Sequence, residues 1–250
     1  TAQFFKAHGA TKVGAVGYQI SPSSAMAAKG FNFAARYVGL EAPYLNTSIP
    51  FGSVDLTSAS LAEKAAGVNG LFLDMDYNTN LAALTQAKQA GVDVKVAFLL
   101  TGYDQNLLND PTAVHNAQGA YFYTAGAPIE LNTAATRNFT SALAKYEGIH
   151  GVPGFDIYEG WQDADLFIRG LQVTGGQLTR SRFISELQKV TDWDAGGLLA
   201  SPRDFTPAAF GQPEQRSCEW IVQLQGNRFV PVPANGQLTC GTLIPNSNQS

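Results

Sequence analysis

The feature that most constrains this chain is the way two kinds of apolar pattern alternate along its first half. Short runs rich in Val, Ile, Leu and Phe, at Lys12–Val16, Tyr44–Ile49, Leu71–Asp74, Val94–Leu100 and Ala120–Tyr123, are separated by stretches with helical spacing. Runs of this kind suit strands buried on both faces, and the intervals between them suit crossover helices, so the pattern describes a parallel sheet. Between the first two runs, Ser23–Val38 places Ala27, Phe31, Ala34 and Val38 on one face, with Pro22 at the start and Gly39 at the end. A second crossover is expected from about Thr57 to Ala66, capped by Thr57 or Asp55 and stopped by Gly67. The third, capped by Asn78 or Thr79, runs through Leu81, Leu84 and Ala87 to Gly91. The fold class expected is α/β, a doubly wound parallel sheet.

After Pro128 the strands stop and helices follow one another. Thr133–Glu147 stripes Phe139, Leu143 and Tyr146, and Phe155–Leu171 stripes Ile157, Trp161, Ala164, Ile168 and Leu171. A shorter helix, Ser181–Val190, follows the turn at Gly175 and Gly176. Apolar helix faces need a surface to cover, and this half supplies almost no strands. Asp192–Gln215 reads as irregular and Pro245–Ser250 as a frayed end.

Composition narrows the function classes. Twenty Asp and Glu against 16 Lys and Arg leave a net charge of −4, which gives no electrostatic footprint for nucleic acid or an anionic membrane. No apolar run reaches the roughly 18 residues needed to span a bilayer, and Thr1 onward carries neither a basic leader nor an apolar core. Cys218 and Cys240 flank Glu219–Pro233, a segment that reads as a hairpin, and two cysteines alone form no metal-ligand set. A disulfide between them and an exported protein are expected, the bond stapling the open end of that hairpin and contributing about 3 kcal/mol; two buried thiols in a cytosolic protein are the alternative.

In a doubly wound sheet, ligands collect outside the C-terminal ends of the strands. The turns there are polar and aromatic: Gly17 to Ser24, including Tyr18, Ser21, Ser23 and Ser24; Asp74 to Asn78, including Asp76 and Tyr77; and Thr101 to Gln105, including Tyr103 and Asp104. Hydroxyls and free N–H groups at a helix start can hold a carboxylate, and a tyrosine can close over a ligand with an apolar face and a polar tip. Catalytic patterns are thin. His8, His115 and His150 lie far apart, and no nucleophile elbow, phosphate loop or dinucleotide fingerprint occurs. The one enzyme-like element is Asp74-Met75-Asp76, which as a metal-binding pair would serve a hydrolase or transferase. Asn46-Thr47-Ser48 and Asn138-Phe139-Thr140 match the glycosylation sequon.

The segments Lys12–Val16, the Ser-rich helix start at Pro22, Gly70–Asp74 followed by Tyr77, and Leu84–Gly91 together resemble the second lobe of type 1 periplasmic binding proteins. These are the extracytoplasmic receptors of branched-chain amino-acid ABC transporters. Phe139–Tyr146, Pro153 and Tyr158–Leu171 are similar to helices of that family, and Ile221–Pro233 is similar to its closing hairpin. The resemblance implies a non-enzymatic clamp without cofactor or metal, which binds an amino acid, aromatic carboxylate or similar small molecule in an interlobe cleft and docks on an ABC transporter permease. A sensor role is the other use of the same fold. It implies an extracytoplasmic protein, in the periplasm or at the cell surface as a lipoprotein. It divides the chain into 1–125 with 219–250 as the C-terminal lobe and 126–218 as the helical remainder of an N-terminal lobe. The first part of that lobe has no counterpart here, so association with a missing lobe or another chain is expected. Residue by residue, ligand contacts are implied at Tyr18, Ser21, Ser23, Ser24, Asp76, Tyr77, Tyr103 and Asp104.

Overall fold

The computed structural model describes residues 1–176, 178–209, 216–242 and 244, with the backbone only at Arg216 and Ser217. The chain forms two compact units: Thr1–Tyr123 with Ile221–Val230, and Thr124–Trp220 with Pro231–Leu243. The ends expected to be irregular, residues 210–215 and 245–250, lie outside the described residues.

The strands are β1 (Lys12–Tyr18), β2 (Glu41–Ile49), β3 (Gly70–Asp74), β4 (Val96–Leu99), β5 (Tyr121–Tyr123), β6 (Arg216–Glu219), β7 (Ile221–Leu224), β8 (Phe229–Val232) and β9 (Thr239–Thr242). Seven of them form one sheet in the order β2-β1-β3-β4-β5-β7-β8. The first five run parallel, and β7 returns antiparallel to β5, with Tyr121 opposite Gln223. The helices are α1 (Ala2–Ala7), α2 (Pro22–Tyr37), α3 (Thr57–Ala65), α4 (Tyr77–Gln89), α5 (Gln105–Asn109), α6 (Pro111–Asn116), α7 (Ala134–Tyr146), α8 (Phe155–Thr174) and α9 (Arg180–Leu187).

The core of the first unit is a chain of aromatic rings. Phe72 of β3 stacks on Phe31 of α2 at 4.4 Å, Phe5 of α1 meets Phe31 at 4.6 Å, and Phe4 lies edge-on to Tyr121 at 4.9 Å. The sequence reading overlooks α1, whose two adjacent aromatics fill the sheet face although six residues are too short to show a period. It also sets the face of α2 one position off. The buried residues are Ser24, Ala28, Phe31, Asn32 and Ala35, so only Phe31 of the expected stripe lies in the middle of that face. Counting apolar residues alone misplaces it because two polar residues face inward with backbone partners: Asn32 Nδ2 donates to the Ala42 carbonyl at 3.4 Å, and Ser24 bonds to β1 and β3. The caps shift too. Asp76, not Asn78 or Thr79, caps α4; before α3, Asp55 accepts the Thr57 N–H at 3.1 Å while Leu56 holds the cap position.

In the second unit, Thr133 caps α7, whose Phe139 and Leu143 are buried, whereas Tyr146 of the expected stripe is exposed. The buried face of α8 is Tyr158, Gln162, Gly170 and Thr174. Tyr158 donates its hydroxyl to the Ala127 carbonyl at 2.9 Å, and Gln162 Nε2 donates to the Ala125 carbonyl at 2.8 Å. Of the expected stripe, Ile157, Trp161 and Leu171 are half-buried and Ala164 and Ile168 exposed. Gly170 is where α9 presses in: a Cβ there would lie 2.3 Å from Phe183 Cζ.

Cys218 and Cys240 are disulfide-bonded and face each other across a separate antiparallel ribbon of β6 and β9. The bridge therefore spans its own strand pair rather than the mouth of the β7–β8 hairpin. Pro231–Leu243, which includes β9, groups with the second unit, whereas the sequence-based division keeps 219–250 together with the C-terminal lobe.

Candidate functional site

The order β2-β1-β3-β4-β5 reverses direction between β1 and β3, and the crevice at such a reversal is where an open α/β sheet holds its ligand. Tyr18 ends β1 and Asp74 ends β3, with Gly17 in register with Asp74. Ser24, in the first turn of α2, joins the two strand ends: its Oγ accepts the Tyr18 N–H at 2.8 Å and donates to the Asp74 carbonyl. Gly17 makes the approach feasible, since a Cβ at that position would sit 2.8 Å from the Ser24 carbonyl oxygen. Ser21 caps α2 by accepting the Ser24 N–H, and its hydroxyl lies 3.0 Å from that of Ser23, which is exposed.

Asp76 is consumed by structure. Its Oδ1 accepts the N–H groups of Asn78 and Thr79 at 2.9 and 3.2 Å, and its Oδ2 accepts the hydroxyls of Tyr18 and, at 2.8 Å, Thr79. Burial pushes the Asp76 carboxyl up, but the hydrogen bonds from Tyr18, Thr79 and the helix start outweigh it and hold it below the usual carboxylate range. Burial, with the Asp76 contact, in turn pushes the Tyr18 phenol up. The result is a rigid clamp between β1 and α4. Over it lies Phe51, just after β2, with its ring 5.0 Å from that of Tyr18 and 65% of its surface exposed.

Asp74 differs from Asp76. It is half-buried, no hydrogen bond to its carboxylate occurs among the described residues, and burial pushes it up to about 6. The Asp76 oxygens are taken up by their hydrogen bonds, and among the described residues no three His, Cys, Asp or Glu side chains are placed together to hold an ion.

At the next turn, Tyr77 opens α4 beside Gly102, where a Cβ would lie 3.8 Å from the Tyr77 ring. Burial and the carboxylates of Asp110 and Asp104 push the Tyr77 phenol up to about 12. Asp104 caps α5 through the Asn106 N–H at 2.7 Å, and Asp110 caps α6.

Of the eight expected contacts, Tyr18, Ser24 and Asp76 thus form the frame of the crevice, Ser21 and Ser23 its rim, and Tyr77 and Asp104 a neighbouring cluster. Tyr103 goes elsewhere: it is 3% exposed, with its ring 4.9 Å from Phe229 in the core of the unit. Sequence reasoning placed Thr79 only as a helix cap and missed Phe51, which follows the β2 run at the same end of the sheet.

Among solved structures, the chain is similar to a fatty acid ABC transporter substrate-binding protein from Thermomonospora curvata, with TM-score 0.74 and 20% identity over 96% of this chain and 59% of that one. A solute binding protein of an ABC transporter from R. palustris, in complex with benzoate, gives TM-score 0.70 and 15% identity over 99% of this chain and 63% of that one. A branched chain amino acid ABC transporter structure from Thermus thermophilus with bound valine gives TM-score 0.69 and 18% identity over 92% of this chain and 61% of that one. The chain thus spans about three fifths of the length of each. No curated protein sequence matches it significantly. No described helix is long and apolar enough to cross a membrane. The family model described as periplasmic binding protein matches residues 1–228, and the chain, with its parallel sheet and β1/β3 crevice, belongs to that family.

Proposed function

We propose that this protein is the substrate-binding component, without catalytic activity of its own, of an extracytoplasmic ABC import system. The strand-end surface of the first unit is one wall of its ligand site, and the ligand is a small molecule carrying an amine, an amino acid being the simplest. The observation that carries this reading is the Asp74 carboxylate, which has no hydrogen-bond partner among the described residues at the topological switch point while its neighbour Asp76 is fully bonded. An unpaired, partly desolvated carboxylate is matched by an ammonium group and repels a carboxylate. Exposed Phe51 and the half-buried Tyr77 supply apolar faces for the rest of the molecule. The serine hydroxyls of Ser21 and Ser23 at the start of α2 suit the carboxylate of the same zwitterion. Docking on a permease, and a location in the periplasm or at the cell surface as a lipoprotein, are parts of the same proposal, which family membership supports.

Calorimetry with valine, benzoate and a medium-chain fatty acid tests the reading on this chain. Valine should bind in preference to the two acids, and Asp74→Asn should weaken it at least tenfold. Preference for benzoate or the fatty acid, or valine affinity indifferent to Asp74→Asn, would overturn the amine assignment.

A further inference from the structure

The first unit has an open pocket at the end of the sheet opposite the crevice, and Lys88, Lys95, Gln118 and Gly119 around it are exposed. It holds about 230 Å³ and is lined by Lys88 at the C-terminal end of α4, Lys95 just before β4, Tyr121 of β5, and Gln118 and Gln223. Strand β4 separates the two places, so at about 3.3 Å per residue they lie roughly 13 Å or more apart. The walls are fixed. Gln118 spans to the β7–β8 turn, donating to the Gly226 carbonyl at 2.7 Å and accepting the Gly226 N–H at 3.0 Å, and Gln223 donates to the Gly119 carbonyl at 3.0 Å. Among the described residues, no Asp or Glu lines the space.

Each ammonium group carries three donors. Lys88 donates to the Asn116 carbonyl at 2.5 Å and faces no carboxylate in the pocket, while Lys95 pairs at 2.9 Å with the largely exposed Asp93. Partial desolvation pulls the Lys88 ammonium below its ordinary value, although the residue is exposed. The volume is several times the share of one liquid water, about 30 Å³, so a compact anion can enter.

We propose that this pocket is a second ligand site, which takes one oxyanion group, a carboxylate or a phosphate, of a small solute between Lys88 and Lys95. It is independent of the crevice and of the amine-binding reading above.

The probes are inorganic phosphate and succinate, titrated separately at constant ionic strength while backbone amide shifts are followed by NMR. Saturable shifts at Lys95, Gly119 and Ala120, with the amides of Tyr18 and Tyr77 unmoved, are expected for at least one probe. Response to phosphate alone assigns a phosphate-bearing solute, response to succinate alone a carboxylate, and response to both an unselective oxyanion site. Lys88→Gln should weaken the saturable binding at least tenfold and Lys88→Arg should retain it, which separates loss of charge from loss of fold. Shifts that never saturate, or equal affinity in Lys88→Gln, would overturn the proposal.

Discussion

Helices α2 and α8 each carry an apolar stripe, yet the two stripes meet different fates. In α2 the buried face lies on the sheet, Phe31 stacks on Phe72, and even the inward-facing Ser24 and Asn32 have backbone partners. In α8 the buried positions are Tyr158, Gln162, Gly170 and Thr174, while Phe167 and Ile168 are 57% and 52% exposed. A stripe states that a helix face suits burial; whether it is buried depends on what the chain provides to cover it. The first unit provides a seven-stranded sheet, whereas the described strands of the second are the β6–β9 ribbon with the end of β8. Stability should therefore respond unequally to similar substitutions in the two units.

The largest effect is expected at Phe98, which is almost wholly buried and lies within 6.2 Å of the rings of Phe4 and Phe72. Phe98→Ala should cost about 3–5 kcal/mol, the usual range for an aromatic truncated in a packed core. All three tryptophans, Trp161, Trp193 and Trp220, belong to the second unit, so their fluorescence reports on that unit alone while circular dichroism reports on both. In urea, the dichroism midpoint should fall further than the fluorescence midpoint. Equal falls would mean that the units unfold as one and would break the comparison.

A smaller effect separates two glutamates. Glu63 on α3 is 2% exposed, and burial pushes its carboxyl up to about 8, whereas half-buried Glu186 on α9 is held below its ordinary value by the hydrogen bond from Lys189. With a folded value near 8 and an ordinary value of 4.5, the folded state keeps the Glu63 proton that the unfolded chain releases. The associated stability is complete below about pH 4.5 and is lost as pH rises toward 8, amounting to about 3 kcal/mol by pH 7. Asp74, pushed up to about 6, acts in the same direction over a narrower window. Glu63→Gln should remove most of this slope and be more stable than the parent at pH 7 in denaturant titrations across pH 5 to 8. A slope unchanged by the substitution would show that Glu63 reaches solvent in the folded state.

The sheet was legible because β1, β3 and β4 are uninterrupted apolar runs and the crossovers end at Gly39, Gly67 and Gly91, each with positive φ. The site was legible only in part. Strand-end logic finds Tyr18 and Asp76, but it cannot tell a residue that binds a ligand from one that builds the frame, because the difference lies in partners such as Thr79. Tyr103 is the sharper case. Its turn composition suggests a ligand contact, but the β7–β8 hairpin brings Phe229 from the far end of the chain and draws the ring into the core. Long-range pairing of that kind leaves no local trace, and the inward-facing serine and asparagine of α2 are invisible to hydropathy for the same reason.

The smallest expected effect tests the exposed side of the comparison. Ile168 projects from α8, and the ring of Phe167 lies 5.4 Å from that of Phe183 in α9. Little apolar area returns to water when Ile168 is shortened, and alanine is the better helix former, so Ile168→Ala should change stability by no more than about 0.5 kcal/mol in either direction. The same truncation at a buried position would cost about 2–5 kcal/mol. The fluorescence midpoint of the Ile168→Ala protein in urea, measured at two protein concentrations, decides the matter. A loss above about 1.5 kcal/mol that grows with protein concentration would mean that a second molecule covers this face in solution. A loss of that size independent of concentration would mean that the face is buried within the chain itself.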